Sequence, residues 1–295
     1  MTRTILVPFD GSEGSKAALD YAGELAGDER VVALVVVEPV PTEGHPEDQR
    51  APYEQAFERA QDRLAGAETL AGDGRVDAEF CYGHPIHEIL QYVDRYVVEE
   101  VVMGAHGRDE AGEVPLGSVA ESVIRRSPVP VTVVRGETAE TIGLPRSVLV
   151  AFDGSTPSRD ALSYALERFP DAEVRALYAD SPTSGDAEHL GPGGDRSTEF
   201  EDWYEPVGEW HERADRDADS VLGLAEDVAD GYGRAIGTAT EAGDPTRVVV
   251  DYAGRNDVDH VVVGSHGGEG VTRRLLGSVA AFVVRRSPTS VTVVR

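Results

Sequence analysis

Short apolar runs alternate along the chain with longer amphipathic stretches. Runs such as ILVPF (5–9) and VVALVVV (31–37) are rich in β-branched residues and show no polar residue at every second position. Strands buried on both faces have this character. Five strands are predicted in the first half, at about 3–9, 31–37, 76–81, 99–104 and 131–135. Helices are predicted between them at about 13–26, 52–71, 85–96 and 117–127. Ser12 is placed to cap the first helix. In the second half Ser155 or Thr156 takes that place, with Pro157 in the first turn. Strand and helix in this order predict a parallel sheet with helices on both faces and right-handed crossovers, an α/β Rossmann-like, doubly wound domain.

The pattern occurs twice. Residues 101–135 and 261–295 align without a gap and share 20 of 35 positions. ILVPFDGS (5–12) likewise matches VLVAFDGS (148–155). The offset is 143 at the starts and 160 at the ends, so the second copy carries 17 extra residues. A period this long excludes a solenoid and predicts two tandem domains, 1–137 and 145–295. A polar linker (136–145) joins them. The extra residues are assigned to a Gly-, Pro- and acid-rich insertion at about 181–210, which holds Trp203 and Trp210.

Composition changes the picture in one respect. Among 295 residues, 54 are acidic and 27 basic, a net charge of −27, and Lys16 is the sole lysine. Such a surface repels nucleic acid and anionic membranes, so neither is expected as a partner. It resembles the composition of proteins that work in concentrated salt, where a Debye length of roughly 3 Å screens carboxylate repulsion. Cys81 stands alone, no run reaches the length of a membrane span and the N-terminus lacks a leader-like apolar run. A cytoplasmic protein is expected.

The chemistry-bearing segment is G-x2-G-x9-G-S, present as Gly104, Gly107, Gly117, Ser118 and again as Gly264, Gly267, Gly277, Ser278. Its first glycine ends the fourth strand, at the edge where open α/β sheets bind ligands. Its last pair starts a helix, whose free amides and dipole favour an anion. Glycines can form an amide nest there, and the serine hydroxyl can reach a phosphate oxygen. Asp10 and Asp153 end the first strand at the same edge. A second reading stands beside this one, in which the glycines serve tight turns and close packing. The loops between the glycines differ in charge, −2 over 108–116 and +1 over 268–276, so the two sites are expected to be unequal. His84 and His87 lack the companions a metal centre needs. His106 and His266 are read as shaping the loop, and Cys81 as a small buried residue. There is no Walker segment and no nucleophile–base set, so no catalytic residue is assigned.

VPFDGS, the Gly-x-Pro after the third strand, the glycine segment and the closing PVTVVR together resemble the universal stress protein (UspA) family, over both halves apart from the insertion. The resemblance implies five parallel strands per domain in the order 3-2-1-4-5. In the ATP-binding branch it implies adenine nucleotide at the glycine loop, with Mg2+ or Mn2+. Pro8, Asp10, Val36 and Met103 would then line the adenosine, and Gly104, Gly107, Gly117, Ser118 and Val119 would hold ribose and phosphates. The second copy offers Asp153, Val263, Gly264, Gly267, Gly277, Ser278 and Val279, with Ala151 in place of Pro8 and Tyr178 in place of Val36. A stress sensor or regulator with slow hydrolysis at most is implied. The alternative is a scaffold of the same fold that has lost nucleotide binding. The last strands are expected to pair the two halves as an intramolecular pseudo-dimer, and pairing of two chains into a homodimer stays open.

Self-repulsion among 54 carboxyl groups is expected to destabilise the fold as salt is removed. The melting temperature should rise steeply from about 0.1 M to above about 1 M KCl. A flat profile across that range would count against adaptation to salt.

Overall fold

The computed structural model describes residues 3–39, 50–70, 76–106, 116–135, 143–180, 205–265 and 276–295. The first half contains β1 (Thr4–Pro8), α1 (Glu13–Leu25), β2 (Arg30–Val37), α2 (Arg50–Leu70), β3 (Val76–Tyr82), α3 (Pro85–Arg95), β4 (Val98–Gly104), α4 (Ser118–Arg126) and β5 (Val131–Val134). The second contains β6 (Ser147–Ala151), α5 (Thr156–Arg168), β7 (Glu173–Asp180), α6 (Glu205–Gly231), β8 (Gly237–Ala242), α7 (Pro245–Arg255), β9 (His260–Gly264), α8 (Ser278–Arg286) and β10 (Ser290–Val294). Most of the linker and of the segment assigned as an insertion, with Trp203, lies outside the described residues. Residues 205–210 at its end are already helical.

The strands form one ten-stranded sheet in the order β3-β2-β1-β4-β5-β10-β9-β6-β7-β8. Each half is parallel and follows the order 3-2-1-4-5 in its own strands. Helices α1, α2, α5 and α6 cover one face and α3, α4, α7 and α8 the other, as the two hydrophobic clusters record. The absence of alternation in the strands follows from this burial on both sides. The α1 and α5 caps are as expected: Ser12 accepts from the Ser15 amide at 3.2 Å and Ser155 from the Ser158 amide at 3.4 Å. Cys81 departs from expectation. It sits half-buried on the edge strand β3, its thiol pushed up to about 11 by burial and by Glu88 and Glu79.

The halves meet where β5 and β10 pair antiparallel, Thr132 opposite Thr292. This seam makes the chain an intramolecular pseudo-dimer. Because the pairing is antiparallel, the C-terminal edges of the two half-sheets point in opposite directions. The seam contains a buried polar chain. Thr132 Oγ1 donates to Glu100 Oε1 at 2.5 Å and lies 2.6 Å from Thr292 Oγ1, which lies 2.7 Å from His260 Nε2. Each threonine has one hydroxyl proton. The Thr132 proton is given to Glu100, so Thr292 donates to Thr132 and His260 donates from Nε2 to Thr292. Burial keeps the ring neutral, so Nδ1 is left to accept, and the Tyr21 hydroxyl lies 3.5 Å from that nitrogen. Glu100 is 2% exposed and is met by Arg168 Nε at 3.3 Å, while Arg168 also pairs with Glu29 at 2.7 Å. Reciprocal arginines close the seam. Arg135 donates to the Val284 carbonyl in the last turn of α8 at 2.6 Å, and Arg295 donates to the Ile124 carbonyl in the last turn of α4.

Burial holds His260 down at about 3 against an ordinary value of 6.5, with Asp259 opposing weakly. Below pH 6.5 the unfolded chain takes up this proton and the folded chain does not. The His260 contribution is therefore complete above pH 6.5 and lost as pH falls towards 3, by up to about 1.4 kcal/mol per pH unit. Glu100 acts in the opposite sense: burial raises its carboxyl above 4.5, so the fold gains relative stability as pH falls to that value. Urea unfolding from pH 7.5 to 4.5 should show a shallower acid loss in His260→Gln than in the natural chain. Parallel profiles would refute this account.

Candidate nucleotide site

The site is built where β6 and β9 end. After β6 the chain turns through Asp153, Gly154 and Ser155 into α5. Asp153 Oδ1 accepts from the Ser155 amide at 3.0 Å and the Ser155 hydroxyl at 2.5 Å. Gly154 sits at φ +76°, a conformation other residues rarely adopt. The first half repeats the turn: Asp10 Oδ1 accepts from the Ser12 amide at 2.9 Å, and Gly11 has φ +82°. The D-G-S triplet thus forms a turn and a cap, and Asp153 also lines the cleft.

The first glycine of each long motif has a packing duty. A Cβ on Gly264 would stand 2.6 Å from the Pro157 carbonyl carbon, and one on Gly104 would stand 2.5 Å from the Gly14 carbonyl carbon. These glycines let the first turn of α5 and of α1 lie directly on the strand end. The last glycine is different. Gly117 (φ −70°, ψ 154°) and Gly277 (φ −62°, ψ 157°) are N-caps in an ordinary conformation, and no side chain caps either helix. The Gly277 amide is tied to the Ser265 carbonyl at 2.7 Å, as the Gly117 amide is to the Ala105 carbonyl at 2.8 Å. The next three amides have no acceptor within the helix, and the Ser278 hydroxyl is exposed beside them.

A cavity of about 420 Å³ opens here, within the usual range of small-molecule sites, about 300–1,000 Å³. It brings together Asp153, Val263, Gly264, Gly277, Ser278 and Val279, six of the seven second-half residues named from sequence. Gly267, like Gly107, His266 and most of both charged loops, lies outside the described residues. One end is apolar, formed by Ala151, Leu177, Ala179, Val249 and Val263; the other presents the start of α8. Among the described residues lining it there is no arginine; Arg273 and Arg274 lie outside the described residues. In the first half Pro8, Asp10, Val36, Met103, Gly104, Gly117, Ser118 and Val119 occupy the corresponding places, with Met103 buried.

One correspondence needs correcting. The registers Val36 to Cys81 and Ala179 to Glu241 place Ala179, not Tyr178, at the position of Val36. Tyr178 corresponds to Val35 and packs on the opposite face, with the α5 and α6 core. A slip of one residue in a strand exchanges its faces. Sequence reasoning also missed Pro245 and Val249 on α7. Pro245 was visible as part of Gly-x-Pro, but nothing local showed that this turn borders the cleft.

The universal stress protein family profile matches residues 1–135 and 145–295. The chain belongs to the universal stress protein family. A family member from Mycolicibacterium smegmatis is 27% identical over 313 aligned residues, covering 99% of this chain and 96% of that protein. One from Thermus aquaticus is 36% identical over 138 residues, 46% of this chain and 100% of the relative, which corresponds to a single half. The crystal structure of a universal stress protein from Archaeoglobus fulgidus, 24% identical, covers 99% of this chain and 98% of its own with a TM-score of 0.69. That likeness establishes the tandem fold. Among the described residues no helix is long and apolar enough to cross a membrane.

Gly264→Ala is expected to cost about 1–3 kcal/mol by overpacking against the α5 backbone, and Gly104→Ala a similar amount. Gly23→Ala, whose Cβ would meet nothing within 4 Å, should be neutral or stabilising. Thermal melts of the three variants check this; equal effects would remove the packing role of the motif glycines.

Proposed function

We propose that the protein binds adenine nucleotide, ATP with Mg2+ or Mn2+, at the cleft of its second half and at the corresponding edge of its first. It then acts as a stress sensor or regulator with slow hydrolysis at most. The observation that carries this reading is the cavity whose apolar wall suits a base and whose far end presents the uncapped start of α8. Among the described residues of the lining, phosphate charge would fall to the amides, the helix dipole and the cation. The Asp153 carboxylate and Ser278 hydroxyl are hard oxygen donors of the kind Mg2+ accepts. They are the residues that would hold the cation; the cation when bound would neutralise phosphate charge.

Calorimetric titration of ATP into nucleotide-stripped protein, in high salt with Mg2+, tests the proposal. Two affinities are expected, one lost in Gly117→Val and the other in Gly277→Val. If the Ser278 hydroxyl donates to a phosphate oxygen instead, Ser278→Ala should weaken the second site roughly ten- to a hundredfold, about 1.5–3 kcal/mol for a hydrogen bond to a charged group. Unchanged binding in a folded double glycine variant would place ATP elsewhere. No binding by the natural chain would favour the scaffold reading, to which the packing duty of Gly104 and Gly264 already lends support.

A further inference from the structure

The apolar end of the second cleft has been emptied relative to the first, and on one face of the sheet only. Strand register and helix position pair Pro8 with Ala151, Val36 with Ala179, Met103 with Val263 and Ile89 with Val249. At all four positions the second half carries the smaller residue, a total of six fewer non-hydrogen side-chain atoms. All four second-half residues line the 420 Å³ cavity. All four belong to or pack against the cluster under α7 and α8, so the lost volume is contiguous. Elsewhere the lining is conservative between the halves: Phe9 and Phe152, Leu34 and Leu177, Ser15 and Ser158, Pro85 and Pro245, Val119 and Val279 are the same residue types. Tyr178, the one lining residue bulkier than its counterpart, packs with the core of the other face and does not refill the space. Four reductions in one pocket wall, inside an otherwise retained lining, change the shape of the space that the wall encloses.

We infer that the second site takes a purine nucleotide whose base carries an added apolar group of about six non-hydrogen atoms, a ligand the first site excludes. The inference rests on the nucleotide reading above and fixes its specificity: Ala151, Ala179, Val249 and Val263 determine which base fits. In an apolar pocket one methylene of misfit changes relative affinity by about 10- to 200-fold. Restoring first-half side chains one at a time therefore gives a readable effect.

The probes are ATP and N6-benzyl-ATP, titrated with Mg2+ in high salt into the nucleotide-stripped full chain, Ala179→Val and Val263→Met. The natural chain should bind N6-benzyl-ATP at one site, at least as tightly as ATP binds there. The ratio of N6-benzyl-ATP to ATP affinity should fall about tenfold or more in each variant. Circular dichroism melts establish that the variants fold, and Val249→Ile, which adds one methyl group, serves if either does not. ATP binding with the benzyl compound excluded, benzyl binding at both sites, or an unmoved ratio in folded variants would each overturn the inference while leaving nucleotide binding intact. Binding of neither compound would instead overturn the nucleotide reading and this inference with it.

Discussion

The antiparallel pairing of β5 with β10 is the contact on which the rest of the structure depends, and its polar centre decides which strands meet. Val131, Val133, Val291 and Val293 are buried around it, so an unpaired edge would expose an apolar strand with open backbone donors. The hydrogen-bond chain from His260 through Thr292 and Thr132 to Glu100 has a direction: a donor stands at one end and an anion at the other. Joining two first halves would set two carboxylates about a pair of threonines, without Arg168. Joining two second halves would supply no acceptor at the end of the chain. Only unlike halves combine an acceptor at one end with a donor at the other, which leaves one hydroxyl proton for the contact between the two threonines. Buried groups of this kind are costly when partly satisfied and specifying when complete.

That seam also fixes how the two clefts lie. The half-sheets run in opposite directions, so the clefts open at opposite edges of one continuous sheet. Helices α4 and α8 lie side by side on one face, where Glu121 holds both Arg125, at 2.6 Å, and Arg285. Beneath them a groove of about 260 Å³ is walled by Leu116, Ile124, Leu276 and Val284. Leu116 and Leu276 each lie one residue before a capping glycine. Packing at the seam and the start of each glycine-capped helix are thus mechanically adjacent.

The site itself uses few side chains. Aspartate, glycine and serine in the D-G-S turns secure the first helix of each half, and the first motif glycine lets that helix approach the strand end. Beyond Asp153 and Ser278, the cleft offers amides at the start of α8 and an apolar wall.

Local patterns in the sequence reported the local structure well. The buried strands, the serine caps and the glycine at each helix start follow from periodicity and turn chemistry within a dozen residues of one another, and the duplication from direct comparison of the two copies. The family, too, was legible from VPFDGS, the glycine segment and PVTVVR. Three things were decided only by tertiary structure. The first is facing: an offset of 143 already pairs Val36 with Ala179, but only the fold shows Ala179 on the cleft's face and Tyr178 on the other. The packing duty of Gly104 and Gly264 depends on the approach of helices that start at Glu13 and Thr156, far away in the chain. The buried chain at the seam joins Glu100 to His260 across 160 residues, and in sequence these are only unlike residues at matching positions of two copies. Sequence spacing encodes which atoms are near along the backbone; the fold alone brings together donors and acceptors that the chain keeps apart.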